Sequence, residues 1–350
     1  MPKTILQCTR TIALCACAIF LAAPQAASAD DSLSVLLGGK TPKLMNSLNL
    51  IAAGAGFYRA EHLNVVTSIV DGTPLAAGMC ATAKADICPM GIEAAILGYD
   101  KGRRLTMFLT RASKFGYVLA VLDSSPIRTM ADFKGKTIGV HYLNGTSPLL
   151  ATQSLLATVG LRAADYTFVP IGFADAAIDM FASGKVQAVA LPLYELIPYM
   201  VGGLKLRIFR HPTLGDSANA GYLAAPSVLA AKRDAIGRFS RAIVKAALLI
   251  HDKPEAAARA LLTATGEPFT DADVRRTAAE FAVWQNDLPA SDPASRRIGA
   301  PSVDGMRRYI QLLKDAGAIK SAMPGAEVAT DKFVGVANDF DHREIENFVK

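Results

Sequence analysis

From residue 33 onward, short apolar runs alternate with amphipathic segments. LSVLLGG (33–39), NVVTSIV (64–70) and ADICPMG (85–91) read as strands, and segments within 44–60, from Pro74 to Lys84 and near 91–101 read as helices. Such alternation predicts βαβ units and parallel sheets. The pattern breaks at RLTMFLT (104–110) and GYVLAVL (116–122), neighbouring strands with no helix between them, where a chain can leave one lobe. It resumes from Thr129 with MADFKGKTIGV, a helix from about Ser147 to Val159, YTFVPI (166–171), a helix at 174–183, QAVAL (187–191) and a helix at 193–201. LKLRIF (204–209) and AGYLAA (220–225) close this second unit, and the rest is helical. In that tail Ile236, Phe239, Ile243, Ala247 and Ile250 form one apolar face, as do Val303, Met306, Ile310 and Leu313. Gly266 and Gly317 sit where helix ends favour a left-handed residue.

The N-terminus stands apart from this pattern. Lys3 and Arg10 precede the apolar TIALCACAIFLAA, and QAASA follows with small residues at Ala27 and Ala29, which predicts a signal peptide over 1–29 cleaved before Asp30. A lipoprotein reading at Cys17 would leave an apolar core of only Thr11 to Ala16 and is the weaker alternative. Cleavage leaves 321 of the 350 residues, and the formal charge of +6 loses the two cations Lys3 and Arg10 to become +4. The cationic pairs Arg103-Arg104, Arg275-Arg276 and Arg307-Arg308 are scattered, so nucleic acid is not an expected partner. Of five cysteines only Cys80 and Cys88 lie outside the leader; the spacing admits a local disulfide or two small buried thiols.

Export, two α/β units and only two crossings between them describe a two-lobed clamp with a helical tail. The expected division is lobe one at 30–117 and 223–350, with lobe two, 118–222, inserted in it. A hinge near Tyr117 and Tyr222 would leave a cleft for a small molecule between the lobes.

Candidate ligand groups follow from where strands end. In HYLNGTSP, Ser147 or Thr146 can cap a helix with Pro148 in its first turn, and Asn144-Gly145 turns the chain; the backbone N–H groups there attract electron-rich atoms. The lysine of a nucleotide-binding loop is missing. DGTP (71–74) is the matching junction in lobe one, with Thr73 as cap and Pro74 opening the helix. Met90-Gly91 ends a strand at the cleft-facing edge, and Lys40-Thr41 follows the first strand. Arg111 ends another strand with a guanidinium able to grip an oxyanion; Tyr117, Tyr194 and Tyr222 lie near the crossings, and Glu195 can accept from an amino group. Each also has an ordinary structural role as cap, turn or packing residue. The five histidines have no metal-ligand spacing, no Gly-x-Ser-x-Gly elbow occurs, and no catalytic set or cofactor is expected. His141 reads as an edge histidine satisfied by backbone, or as a cleft donor.

Several of these segments resemble one family. LIAAGAGFYRAEHLNVVTSIVDGTP (50–74), AKADICPMG (83–91), MADFKGKTIGV (130–140) and SVDGMRRYIQLLKDAGAIK (302–320) are similar, in this order, to segments of the nitrate/sulfonate/taurine and thiamine-precursor binding proteins. The resemblance implies a type 2 periplasmic binding fold, periplasmic location, and delivery of a small solute to an inner-membrane ABC permease with its ATPase. A monomer without enzymatic activity is expected; a pyrimidine-precursor-making enzyme or a ligand-sensing module on the same fold are the rivals. His62 stands where many relatives have Gly, and LPLYE (191–195) only loosely follows the family's Trp/Tyr-Glu-Pro.

Overall fold

A computed structural model describes residues 30–38, 44–112, 114–143, 147–172, 174–215, 217, 219–288, 298–315, 317–320 and 323–349. Among the described residues ten strands are formed: β1 (Asp31–Gly38), β2 (Leu63–Val70), β3 (Cys88–Gly91), β4 (Thr106–Thr110), β5 (Tyr117–Leu122), β6 (Thr137–Val140), β7 (Thr167–Pro170), β8 (Ala188–Pro192), β9 (Leu206–Phe209) and β10 (Ala220–Ala224). Between them lie α1 (Ser47–Gly54), α2 (Phe57–Ala60), α3 (Thr73–Ala81), α4 (Glu93–Tyr99), α5 (Ser147–Ala157), α6 (Ala174–Ala182) and α7 (Leu193–Val201). The tail comprises α8 (Pro226–Ala231), α9 (Arg233–Asp252), α10 (Pro254–Thr265), α11 (Asp271–Trp284), α12 (Val303–Asp315), α13 (Gly325–Val328), α14 (Val334–Ala337) and α15 (Arg343–Glu346).

The strands make two sheets with one plan. In the first, β1 pairs with β2, β10 lies between β3 and β4, and a parallel bridge from Val35 to Ile87 joins the halves, giving the order β2-β1-β3-β10-β4. The second has the order β7-β6-β8-β5-β9. Each therefore carries one strand that arrives from the other side of the molecule, β10 and β5, and each of these runs antiparallel to both neighbours. The sheets are thus mixed where the alternation of runs predicted purely parallel ones. Periodicity reports which residues face a core but not the direction in which a strand enters.

The segment 44–60, within which a helix was expected, holds a 3-10 turn (Leu44–Asn46) followed by α1 and α2, which are broken at Gly56, whose φ is 81°. The long tail helix α9 buries Ile236, Phe239, Ile243, Ala247 and Ile250, as spaced in the sequence, and packs on α1, α2 and α10. In α12, Met306, Tyr309, Ile310 and Leu313 are buried, while Val303 is exposed rather than part of that face. Gly266 and Gly317 both have φ 70°. Cys80 and Cys88 form a disulfide with Cα atoms 6.4 Å apart, which joins α3 to β3 and settles the choice left open by their spacing.

Two family-like motifs acquire structural jobs. In AKADI, the Asp86 carboxylate accepts from Ser34 N–H (2.8 Å), Ser34 Oγ (2.9 Å) and Lys232 Nζ (2.9 Å), fastening the entrance of β3 to β1 and to α8's end. Burial pushes this carboxyl up, but the Lys232 and Ser34 hydrogen bonds outweigh it and hold it below its ordinary value. A depressed folded value means stability that is complete above the unfolded carboxyl's pKa of about 4 and lost as pH falls through the folded one. Asp86→Asn should therefore be less stable than the wild type at pH 6, with the gap closing in acid below about pH 4; denaturant titrations at both pH values measure it.

In AEHL, His62 has φ 52°, a left-handed backbone that favours glycine, the residue the family resemblance leads one to expect there. His62→Gly is expected to raise stability by about 1 kcal/mol, read as a shift in the denaturation midpoint.

Candidate functional site

Open α/β sheets bind ligands outside the carboxyl ends of their parallel strands, at the point where strand order reverses. Here those points lie between β1 and β3 in the first sheet and between β6 and β8 in the second. The residues that follow these strands are the candidates.

At the end of β3, Gly91 is the position where a side chain would not fit: an added Cβ would collide with the Glu93 carboxylate and stand 3.1 Å from the Tyr117 hydroxyl. Glu93 itself is 2% exposed. Its Oε1 accepts from Asn219 Nδ2 (3.1 Å) and from the Tyr309 hydroxyl (2.8 Å). Burial, and then the Glu93 charge, push the Tyr309 hydroxyl far up, so it acts as a neutral donor. Arg111, at the end of β4, is also buried and donates from Nη1 to the Met45 carbonyl at 2.9 Å, just ahead of α1.

The second sheet answers with His141 after β6 and Glu195 in the first turn of α7. His141 Nε2 meets Glu195 Oε2 at 2.8 Å, and both side chains are largely buried. The sequence suggested a backbone partner for His141; the carboxylate 54 residues away takes that nitrogen. Beside it, burial and then the Glu195 charge push the Tyr194 hydroxyl well up, while Arg111 opposes the shift and Glu93 adds to it. Tyr194, in α7, thus lies within electrostatic reach of Arg111 after β4 and Glu93 after β3.

The sequence-predicted residues divide accordingly. Gly91, Arg111, Tyr117, Tyr194 and Glu195 come together at these edges. Met90 and Tyr222 do not offer their side chains: Met90 is 3% exposed in the core beneath α12, and Tyr222, 1% exposed, is wedged between Phe108 and Phe239. The cap of α3 is Gly72 (φ 86°), not Thr73, which is already the first helical residue, with Pro74 behind it. Both Thr73 and Pro74 are exposed, and the helix start abuts the end of β1 so closely that a Cβ at Gly38 would lie 2.6 Å from Thr73 Cα. α5 begins at Ser147, so that residue is helical rather than a cap. Lys40, Thr41, Asn144, Gly145, Thr146 and the Ser147 side chain lie outside the described residues, as does the leader 1–29.

Sequence reasoning missed Glu93, Asn219 and Tyr309. A glutamate in a first helical turn looks like dipole complementation, and nothing local marks partners 126 and 216 positions away. Two crevices of about 480 Å³ occur elsewhere, one between α7 and α10–α11 and one between α1 and β2. Neither gathers the polar groups that converge at the strand ends. Among the described residues no group of three or more His, Cys, Asp or Glu could hold a metal ion, and no helix is long and apolar enough to cross a membrane.

Comparison with known proteins adds the lineage. The family model described as NMT1/THI5 like matches residues 46–257, more than half of the chain. No curated protein matches the sequence. Among solved structures, the periplasmic aliphatic sulphonate binding protein SsuA from Escherichia coli is 18% identical, with TM-score 0.66 over 85% of this chain and 96% of that one. The alkanesulfonate-binding protein SsuA from Xanthomonas axonopodis pv. citri bound to MOPS is 19% identical, with TM-score 0.59 over 87% and 97%. The desulfurization enzyme DSZB is 17% identical, with TM-score 0.57 over 88% and 98%. The chain belongs to the NMT1/THI5-like family and has the two-lobed fold of the type 2 periplasmic binding proteins.

Proposed function

We propose that the chain is the exported solute-binding component of an ABC-type importer, which captures a small solute of the sulfonate, nitrate or vitamin-precursor class by closing two lobes around it. The observation that carries this reading is that polar groups gather at the strand ends of both sheets, Gly91, Glu93 and the Tyr117 hydroxyl at one and the His141–Glu195 pair at the other, with Tyr194 within electrostatic reach of Arg111 and Glu93. Residues 30–117 and 223–350 form lobe one and 118–222 lobe two. The leader 1–29 directs the protein to the periplasm, where it works as a monomer with a membrane permease and its ATPase. The Cys80–Cys88 disulfide suits an oxidising compartment. The two sulfonate-binding proteins of like fold put sulfonates first among the solutes.

An enzyme reading has one observation behind it, the likeness to a desulfurization enzyme. Against it stands the chemistry of the Ser154–His211 contact, a nucleophile and a base at 2.9 Å. His211 Nδ1 accepts from the Thr213 N–H at 3.3 Å, so in the neutral ring Nε2 carries the proton and donates to Ser154 Oγ. A ring in that tautomer cannot take the serine proton. The two cysteines that could serve as nucleophiles are joined to each other. Capture and hinge closure need no bond chemistry; a solute shifts the open–closed population by its differential affinity.

Thermal denaturation of the protein lacking residues 1–29, against alkane- and arenesulfonates, nitrate, pyrimidines and flavins, tests the proposal. A true ligand at 100 times its dissociation constant should stabilise by about 2.7 kcal/mol. Silence across the panel overturns the solute class, and turnover of any member by the purified protein overturns the binding-protein reading.

A further inference from the structure

The two crossings between the sheets meet at one residue. Asn219, 2% exposed, is the last residue before β10 on the return crossing. Its Oδ1 accepts from the Gly116 N–H at 2.9 Å, on the outgoing crossing one residue before β5. Its backbone carbonyl accepts from the Ile92 N–H at 2.7 Å, and its Nδ2 donates to Glu93, so it also holds the turn that follows Gly91. Gly116 in turn accepts from the Leu193 N–H at 2.9 Å, the first residue of α7, beside Tyr194 and Glu195. Asn219 therefore touches the outgoing crossing, the return crossing and the ligand edge of lobe one directly, and the ligand edge of lobe two through Gly116.

A side-chain amide suits this position. Gly116 presents an N–H and requires an acceptor, whereas Glu93 presents a carboxylate and requires a donor; a side-chain amide supplies one of each from a single planar group. The surrounding contacts also fix which end is oxygen, since the reversed amide would oppose a donor to a donor and an acceptor to an acceptor.

We infer that Asn219 is the positioning residue of the hinge: lobe two turns about the Gly116–Asn219 contact, and a change at the Glu93 edge is passed to Gly116 through the Asn219 amide. The inference rests on the two-lobe capture reading, but its test needs no ligand. Residue-resolved amide hydrogen exchange is measured on the ligand-free chain, with spin labels at the exposed Lys101 and Lys185 reporting lobe separation. Asn219→Asp keeps the acceptor for Gly116 but sets a carboxylate against Glu93.

At pH 7.5 this variant should lose at least tenfold of the protection at the Gly116 amide and broaden the inter-lobe distances, while Leu249 in α9 keeps its protection. Adding Glu93→Gln restores both readouts, because the new amide donates to the introduced carboxylate. Should Asn219→Asp not fold, Asn219→Ser, whose hydroxyl cannot span both partners, should show the same local loss. Unchanged Gly116 protection, no rescue by Glu93→Gln, or equal loss at Leu249 each overturn the inference. If the exchange pattern holds while no solute narrows the inter-lobe distances of the wild type, the capture reading fails and the hinge assignment stands.

Discussion

Glu61→Ala is expected to lower the unfolding free energy by about 3 kcal/mol or more, the scale for breaking a buried ion pair. The Glu61 side chain is 7% exposed and accepts from Arg241 Nη1 at 2.8 Å and Lys245 Nζ at 3.1 Å. Lys245, 6% exposed, also reaches Glu344 at 2.8 Å and lies 5.1 Å from the Phe340 ring centroid, so the network fastens the C-terminal residues onto α9 and the end of α2. Removal of Glu61 leaves a buried ammonium with one exposed carboxylate for company, a state that water cannot reach and solvate. Glu61→Gln keeps an acceptor in place and should lose less. A Glu61→Ala shift in denaturant midpoint worth under 1 kcal/mol would show that the network merely breaks even against its desolvation. Glu61, in the family-like segment 50–74, is therefore explained by the attachment of the helical tail.

That division between fold and site recurs along the chain. Apolar period located the strands, the helices between them and, in the tail, α9 and α12, because the faces that meet a core must repeat every two or every 3.6 residues whatever they pack on; the shorter tail helices were legible only as a helical remainder. Strand direction and pairing lie outside that signal, which is why the antiparallel β5 and β10 were not foreseen although the break between β4 and β5 was. At the candidate site, the residues that reach the strand ends carry local signals: a glycine ending a strand, a tyrosine opening one, an arginine at a strand end. Met90 and Gly91 show the limit, since adjacent strand residues point to opposite faces and only the packed sheet says which is the inner one. Met90 went to the core and Gly91 to the edge. Thr73 lost the cap to Gly72 because the chain enters α3 with φ 86°, a backbone that glycine takes without strain. Glu93, Asn219 and Tyr309 form a network across three distant segments, and long-range polar pairing leaves no trace in spacing.

Gly91→Val is expected to weaken binding of the best solute from the panel at least about a thousandfold, equivalent to about 4 kcal/mol. Even one added carbon at this position collides with the Glu93 carboxylate and crowds the Tyr117 hydroxyl. A branched side chain cannot withdraw, because β3 is held on one side by β10, with Met90 paired to Gly221 and Gly91 to Ala220. The neighbours must move instead: Glu93 away from Tyr309 and Asn219, or Tyr117 away from its edge-on contact with Phe115. Either movement fills or reshapes the strand edge where the proposed solute would sit, so that closure around it meets valine rather than solute. Overpacking of this kind costs about 1–3 kcal/mol of stability, so the variant should still fold, and calorimetric titration at a temperature well below its transition separates the two effects. Undiminished affinity in a folded Gly91→Val protein would place the solute elsewhere, and the crevice between α1 and β2 would become the site to probe.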